Sequence, residues 1–288
     1  MSKSDIYFQR TCRNHFWLGG EKAQQKLNSL RVGIAGLGGM GSGVALTLAR
    51  LGVTQFTLAD PDTVEITNLN RQVIADHTTI GKTKLEATVE ALKKIDPDIH
   101  VEGFDQGITE ESVNLFLSNV DVVIDEIDVF PVEAHKTLHR EARKRNLDLY
   151  SAYVIGLGIH LYRFTNNHYS LDEFYQPIYD ATKSLADGLI QTFVRPEPEY
   201  FKDNSLSGYT SEVEAGNVPI FGPSCLLGHS LVSMRMVLDY MQSQKLELPF
   251  SYEQTPCMPE YIVVDPITFS ISKHNLEKDH HLYNLKSS

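Results

Sequence analysis

Residues 33–62 decide the fold of this chain, and they read GIAGLGGMGSGVALTLARLGVTQFTLADPD. An apolar run leads into a cluster of glycines, a segment of small residues follows, and a second apolar run ends at Asp60. Glycines let the backbone turn tightly and let a phosphate approach the N-terminus of the next helix. A carboxylate at the end of the second strand can accept hydrogen bonds from ribose hydroxyls. The stretch therefore predicts a nucleotide-binding strand–helix–strand unit, whose phosphate-facing glycines are Gly36, Gly38, Gly39 and Gly41.

Strand and helix patterns keep alternating downstream of this unit. Apolar residues recur at helical spacing over residues 82–95, and Pro97 ends that helix. Residues 121–128 form an apolar run of the kind found in parallel strands that are buried on both faces. The pattern predicts an α/β fold with a Rossmann-like, doubly wound and mostly parallel sheet. Further predicted elements are a helix over 131–146 and strands over 147–153 and 158–164.

Three segments make up the predicted organisation of the chain. Residues 1–165 hold an N-terminal helix and the nucleotide-binding half. Residues 166–218 are rich in aromatic and acidic side chains and have weak periodicity, so they are expected to form a long crossover loop that contacts the substrate. Residues 219–288 are expected to add a long buried helix, an antiparallel strand pair and a polar, loose tail that includes His280 and His281.

Composition narrows the classes of function. The net charge of −11 argues against nucleic acid as the main partner, although tRNA stays open. Three scattered cysteines give no disulfide framework and favour a reducing compartment, so we expect a cytoplasmic protein. The first residues show no signal peptide, and no window reaches the roughly 18 apolar residues of a membrane helix.

A glycine loop is compatible with both NAD and ATP, so the residues after Asp60 must indicate which of the two is bound. Residues 60–72 read DPDTVEITNLNRQ, and a dehydrogenase has no need for so many polar side chains beyond its ribose acid. A triphosphate site does need them, since three phosphates must be neutralised. The residues of this segment predicted to bind the nucleotide are Asp60, Asp62, Asn68, Arg71 and Gln72.

Two further charged residues extend the predicted site. Lys84 opens the next helix within GKTK and supplies a second fixed cation. Asp128 ends the run VVIDEID, which we interpret as the carboxyl end of a parallel strand. Ligands bind at that edge of such sheets, and a carboxylate there suits Mg²⁺.

These motifs together resemble the ThiF/MoeB/HesA family, the bacterial relatives of ubiquitin-activating enzymes. The resemblance is strong over residues 7–165 and weaker over 217–272. It implies ATP- and Mg²⁺-dependent adenylylation, in which a carboxylate oxygen attacks the α-phosphorus and pyrophosphate leaves. The motifs that carry it are GxGGxG at 36–41, DxDxVxxxNxxRQ at 60–72, GxxK at 81–84 and the strand ending in Asp128.

The resemblance also implies a role for each matching residue. Asp60 would hold the ribose, and Asn68 would orient phosphate or metal. Arg71 and Lys84 would bind phosphates and stabilise the charge of the transition state. Asp128 would hold Mg²⁺.

The family further implies a homodimer in which an N-terminal arginine reaches the phosphates of the partner subunit. Arg10 is favoured for this role over Arg13.

The sequence departs from the family pattern in three ways. The chain has no CxxC pair, so no structural zinc is expected. The crossover loop has no cysteine, so the chemistry is expected to end at the acyl-adenylate without a thioester. Val129 and Phe130 follow Asp128 where many relatives have asparagine, which puts the usual contact to the substrate tail in doubt.

Three other residues invite a catalytic or metal-binding interpretation. Cys225 lies at a predicted helix start but is followed by leucines, so we interpret it as a small buried residue. His135 and His139 have the spacing of metal ligands on a helix, but no third ligand is evident in the sequence. A solvated helix face is the interpretation we adopt for them.

Several functions stay open at this point. The leading hypothesis is activation of the C-terminal carboxylate of a ubiquitin-like protein or peptide. A second is a threonylcarbamoyladenosine-type tRNA-nucleoside dehydratase, which the missing zinc pairs and the GEKA segment at 20–23 favour and the acidic charge opposes. An NAD-dependent oxidoreductase would leave Arg71, Lys84 and Asp128 without a role. The same three residues argue against a non-catalytic, partner-binding member of the family.

Overall fold

One mixed sheet organises the protein. The computed structural model describes residues 2–181, 205–215 and 218–279. Within these residues the strands are β1 (Arg31–Ala35), β2 (Gln55–Ala59), β3 (His100–Phe104), β4 (Val122–Asp125), β5 (Asp148–Ile155), β6 (Gly158–Phe164), β7 (Glu260–Asp265) and β8 (Ser270–Asn275). They pair in the order β3-β2-β1-β4-β5-β6-β7-β8. The pairs from β3 to β5 are parallel, and those from β5 to β8 are antiparallel. The predicted fold class, a mostly parallel doubly wound sheet with an antiparallel C-terminal part, is confirmed.

Helices cover both faces of this sheet. They are α1 (Lys3–Leu18), α2 (Glu21–Ser29), α3 (Gly41–Leu51), α4 (Lys84–Ile95), α5 (Val113–Phe116), α6 (Val132–Lys144), α7 (Leu171–Ala181), α8 (Ser205–Glu214), α9 (Gly222–Ser243) and α10 (Leu276–Asp279), with a 3₁₀ turn at Ile66–Asn68. None of these described helices is long and apolar enough to cross a bilayer.

Each face of the sheet packs its own apolar core. Leu48 of α3 and Met236 of α9 are fully buried in the core on one face. Phe116 of α5, Leu138 of α6 and Tyr175 of α7 are buried in the core on the other. This division explains why β4 is buried at all four of its residues, as expected for a parallel strand covered on both sides.

Residues 166–218 contain more regular structure than the sequence suggested. The prediction of an irregular crossover loop is wrong where α7 and α8 form. Leu171, Phe174 and Tyr175 have helical spacing and are buried, and Glu173 accepts hydrogen bonds from Ser170 at the helix start. The acidic residues between them hid this short pattern. Residues 182–204 and 216–217 of the segment lie outside the described residues.

The C-terminal helix and strand pair are confirmed as α9, β7 and β8. The polar tail begins later than predicted, because β8 continues to Asn275 and Leu276 is buried in the core. Residues 280–288, including His280 and His281, lie outside the described residues.

Candidate nucleotide site

The glycine loop lies at the carboxyl ends of the parallel strands. It joins β1 to α3. The neighbouring strands β1 and β4 mark the point where the strand order reverses direction, which is where ligands bind in such folds. The Gly36 amide donates to the Ala59 carbonyl oxygen at 2.8 Å, so the loop is tied to the end of β2. Gly36 has φ +87°, and a Cβ there would overlap the Glu126 carbonyl oxygen. A Cβ on Gly41 would overlap the Gly36 carbonyl oxygen, so both positions require glycine.

Asp60 is buried at the end of β2 and holds the glycine loop in place. One of its carboxylate oxygens accepts from the Leu37 amide at 2.5 Å, and the other accepts from the Asp62 amide at 2.9 Å. Burial raises the pKa of Asp60, while Lys84 and the two amides act to lower it. A ribose hydroxyl would therefore have to use the remaining lone pairs of this carboxylate.

Lys84 brings a cation to the same edge of the sheet. It is the first residue of α4, and its N-cap Thr83 accepts from the Glu86 amide, which fixes the helix start. Its ammonium nitrogen lies 2.7 Å from Asp62 Oδ2 and 4.0 Å from Asp60 Oδ1. A triphosphate at this point would compete with both carboxylates for Lys84.

The polar segment after Asp62 packs against the glycine loop. Arg71 donates to the Thr67 carbonyl and to Asn70 Oδ1, and its aliphatic carbons lie beside Gly39.

Two polar side chains of this segment are buried. Asn68 Oδ1 accepts from the Glu65 amide at 3.0 Å, so this side chain shapes the turn. Gln72 is 4% exposed, and its Oε1 has no hydrogen-bond partner among the described residues. A Cβ added at Gly38 would lie 3.9 Å from Gln72 Nε2. A buried amide oxygen without a partner costs free energy.

The start of α9 closes the site from the other side. A Cβ on Gly222 would overlap the Asn70 carbonyl oxygen, and the Cys225 sulfur would lie 3.1 Å from a Cβ on Gly39. Cys225 is 2% exposed, and burial raises the pKa of its thiol to about 11, although Arg71 acts to lower it. These properties match a buried small residue and disfavour a nucleophile, which must ionise.

The prediction that Asp128 ends a strand is wrong. β4 ends three residues earlier at Asp125, and Asp128 lies exposed in the loop that leads to α6. The Glu126 amide donates to the Ala35 carbonyl, which keeps the start of this loop against the glycine loop. Asp128 Oδ1 accepts from the Val129 amide at 2.7 Å.

His135 and His139 do not lie on a solvated face, so that interpretation is wrong. Both are buried in α6 and contact the same oxygen of buried Asp125. Burial acts to raise the pKa of Asp125, but the two histidines hold it far below its usual range. Burial acts to lower the pKa of His135, but Asp125 and the Asp128 carbonyl raise it overall. Burial lowers the pKa of His139 against the opposing effect of Asp125.

Asp125, His135 and His139 are the group among the described residues whose ligand atoms lie close enough for a metal ion, within 4.8 Å of one another. The three cysteines are all free thiols. Sequence reasoning missed the cluster because its acid lies ten residues before His135.

Glu126 is a second residue that sequence reasoning missed. Its carboxylate accepts from the Ala152 amide at 3.2 Å, and its backbone lies against Gly36. Burial, with Asp125 adding to it, raises the pKa of Glu126 well above its usual range. The sole signal in the sequence is a second acid directly after the buried run.

Arg10 is held within its own chain and lies far from the glycine loop. Its guanidinium donates to the Ala49 carbonyl at 2.7 Å and to Asp96 at 2.9 Å. Ala49 is near the C-terminal end of α3, about 12 Å along the helix from Gly41. Arg13 is exposed, and its side chain has no hydrogen bond to any residue that the structure describes.

Comparison with known proteins adds the family context. A model of the ThiF family matches residues 9–280. The molybdopterin-synthase adenylyltransferase of Haemophilus influenzae is 33% identical over 213 residues, which are 74% of this chain and 77% of that protein. The tRNA threonylcarbamoyladenosine dehydratase of Bacillus subtilis is 36% identical over 141 residues, 49% of this chain and 54% of that protein. The match thus spans about half of the dehydratase.

A solved structure supports the fold alone. The crystal structure of E. coli MccB with ATP superposes with a TM-score of 0.65 at 19% identity, over 92% of this chain and 71% of that one.

Proposed function

The chain belongs to the ThiF family, and from this premise we propose that it is an ATP- and Mg²⁺-dependent adenylyltransferase that activates a carboxylate. The observation that carries the proposal is the convergence of the glycine loop, Arg71 and Lys84 at the carboxyl edge of the sheet. A dehydrogenase would need the loop and the acid of Asp60 but would have no use for the two cations. The cations instead match a site for a triphosphate.

The reaction is a displacement at the α-phosphorus. A carboxylate oxygen of the substrate bonds to that phosphorus, the bond to the β-phosphate oxygen breaks, and pyrophosphate takes the electron pair. The Gly36 and Leu37 amides are bonded within the protein, so the later amides of the loop would bind the phosphates. Arg71 and Lys84 would offset charge as it moves to the leaving group. No covalent bond to the protein is needed, so catalysis consists of positioning and neutralisation.

Asp128 is the residue we assign to Mg²⁺. Its carboxylate is exposed, and its Oδ2 has no hydrogen bond to a described residue, while Oδ1 is fixed by the Val129 amide. Hard oxygen ligands of this kind suit Mg²⁺, which supplies positive charge to the leaving pyrophosphate when bound. Gln72, whose amide nitrogen lies near Gly38, could add a polar contact to a nucleotide at the glycine loop.

The acyl substrate we favour is the C-terminus of a ubiquitin-like protein or peptide. Of the two relatives described above, the molybdopterin-synthase adenylyltransferase matches more of this chain. The net charge of −11 also opposes binding of tRNA. Buried Cys225, whose thiol pKa is raised, supports an acyl-adenylate as the end of the chemistry rather than a thioester.

The tRNA dehydratase is the second candidate, because that relative is 36% identical over 141 residues of this chain. Exchange of labelled pyrophosphate into ATP discriminates the two, since it requires the acyl substrate. We expect a fraction of small proteins and peptides from the source cell to support exchange, and bulk tRNA from the same cell to give none. Exchange with tRNA alone would make the dehydratase the correct assignment.

A homodimer is the assembly we propose. Arg13, Phe16 and Trp17 share one face of α1, because they are three and four residues apart. Phe16 is 67% exposed and Trp17 is 61% exposed, which leaves an apolar patch of the kind that partners cover. Arg13, rather than Arg10, is the arginine available to reach a partner subunit's phosphates.

A further inference from the structure

A buried hydrogen-bond chain connects the end of β4 to the loop that carries Asp128. Asp125 and His135 are fully buried, and His139 is 7% exposed. His135 Nδ1 lies 2.6 Å and His139 Nε2 lies 2.9 Å from the same oxygen of Asp125. Two ligands of a tetrahedral metal would be roughly 3.3 Å apart, given metal–ligand distances of 2.0–2.2 Å. The observed separations are those of hydrogen bonds, so we treat the cluster as a hydrogen-bond network.

His135 uses its second ring nitrogen on the loop itself. Its Nε2 lies 2.8 Å from the Asp128 carbonyl oxygen. A carboxylate and a carbonyl are both acceptors, so both ring nitrogens of His135 donate. The ring therefore links the buried carboxylate to the backbone of Asp128. Among the described residues, His135 provides the one side-chain hydrogen bond from outside the loop to Asp128.

The loop has one other tie to the same carboxylate. The Ile127 amide donates to Asp125 Oδ1 at 3.2 Å, just before Asp128. The Ile127 amide fixes the chain before Asp128, and His135 fixes the Asp128 peptide itself. His139 contacts Asp125 and packs edge-on against Phe164, with ring centroids 4.7 Å apart, but it has no hydrogen bond to the loop.

We propose that His135 is a positioning residue that sets the Asp128 carboxylate for the metal ion of the reaction. The proposal rests on the assignment of Asp128 to Mg²⁺ made above. Replacing a residue that hydrogen-bonds to a metal ligand and orients it typically lowers metal affinity by about 10- to 100-fold. His139 offers a matched control, because it shares the helix, the burial and the Asp125 contact of His135 but not the contact to Asp128.

Mn²⁺ binding to the full chain tests the proposal. Mn²⁺ would be titrated in the presence of the α,β-methylene analogue of ATP and followed by electron paramagnetic resonance. His135→Asn keeps an amide near the Nδ1 position and loses the contact to Asp128, so Mn²⁺ affinity should fall by about 10- to 100-fold. His139→Asn should bind Mn²⁺ nearly as the wild type does. Affinity for the ATP analogue without metal should be unchanged in both variants.

His135→Gln is the complementary variant. Its amide lies near the Nε2 position, so it can restore the bond to the Asp128 carbonyl and should recover Mn²⁺ affinity, even though the fold loses the bond to Asp125. Should His135→Asn fail to fold, as judged by circular dichroism, His135→Gln carries the test alone. Loss of Mn²⁺ binding by a folded His135→Gln would overturn the proposal.

Asp128→Ala distinguishes the assignment of Asp128 to the metal from the positioning role of His135. If it leaves Mn²⁺ binding intact, the metal assignment of the proposed function is wrong, and the role of His135 is wrong with it. If it abolishes Mn²⁺ binding while His135→Asn and His139→Asn behave alike, the positioning role alone is overturned. Stoichiometric metal held by the cluster in purified wild-type protein, found by elemental analysis, would also contradict it.

Discussion

The Leu37 amide donates to Asp60 Oδ2 at 2.5 Å, and this contact joins the acid at the end of β2 to the glycine loop after β1. Asp60 is thus first a structural support of the loop. Since the same carboxylate also accepts from the Asp62 amide, it organises both the glycine loop and the segment after Asp60.

Asp60→Ala is expected to weaken ATP binding by about 10-fold or more, because a charged hydrogen bond to the loop contributes about 1.5–3 kcal/mol. Isothermal titration calorimetry measures the change. Asp62→Ala is the comparison variant and should lose less affinity, since the Asp62 side chain is 64% exposed and its removal leaves Lys84 available for phosphate. Equal loss of affinity in both variants would contradict the supporting role of Asp60.

Asp128 and Cys225 should behave differently in pyrophosphate exchange with a cell fraction that supports activity. Asp128→Ala should reduce exchange by about 10²-fold, the scale for loss of one electrostatic element. Cys225→Ala should leave exchange nearly unchanged, because burial holds the pKa of the thiol at about 11. Abolished exchange in Cys225→Ala, together with normal exchange in Asp128→Ala, would reverse the two roles.

The sequence predicted the framework of the site because its motifs are local. Strand, glycine loop and helix are contiguous from residue 31 to 51, and the residues from 60 to 84 follow on the neighbouring strand end. In each of these segments, the residues that form the motif lie close together in the sequence, so the motif can be recognised without the structure.

The errors arise where distant residues meet. The solvated interpretation of His135 failed because the acid that binds it ends a different element, β4. The role of Arg10 stays a prediction, and its pairing with Asp96, 86 residues away, could not be seen in the sequence either. The helix α7 was missed because its apolar face is short and lies among acids.

His160 should make the fold less stable in acid. Burial lowers the pKa of His160 to about 3, with His274 adding to the effect, and the unfolded chain titrates near the ordinary value of about 6.5. Between these values the unfolded state binds more protons, so this residue lowers the free energy of unfolding by about 1.4 kcal/mol for each pH unit below 6.5.

Urea unfolding of the wild type and of His160→Gln between pH 7 and pH 4 checks this prediction. The variant has no group that titrates at this position, so its stability should fall less steeply with acid than that of the wild type. Parallel pH profiles for the two proteins would show that His160 is not the responsible group.

The assembly is expected to be a dimer of twice the 32.4 kDa chain mass by light scattering. Arg13→Ala should keep the dimer but lower ATP affinity by about 10-fold, the scale of one charge-assisted hydrogen bond. Arg10→Ala should lower the unfolding temperature instead, since it loses its contacts to Ala49 and Asp96. A fully active monomer would rule out a contribution of Arg13 from a partner subunit.

The most direct measurement of the central claim is calorimetric titration of the purified chain with ATP in the presence of Mg²⁺ and, separately, with NAD⁺. The glycine loop accepts either ligand, so the outcome depends on whether Arg71, Lys84 and Asp128 act together as a triphosphate site. We expect saturable binding of one ATP per chain and no detectable binding of NAD⁺. Tight binding of NAD⁺ without binding of ATP would contradict it.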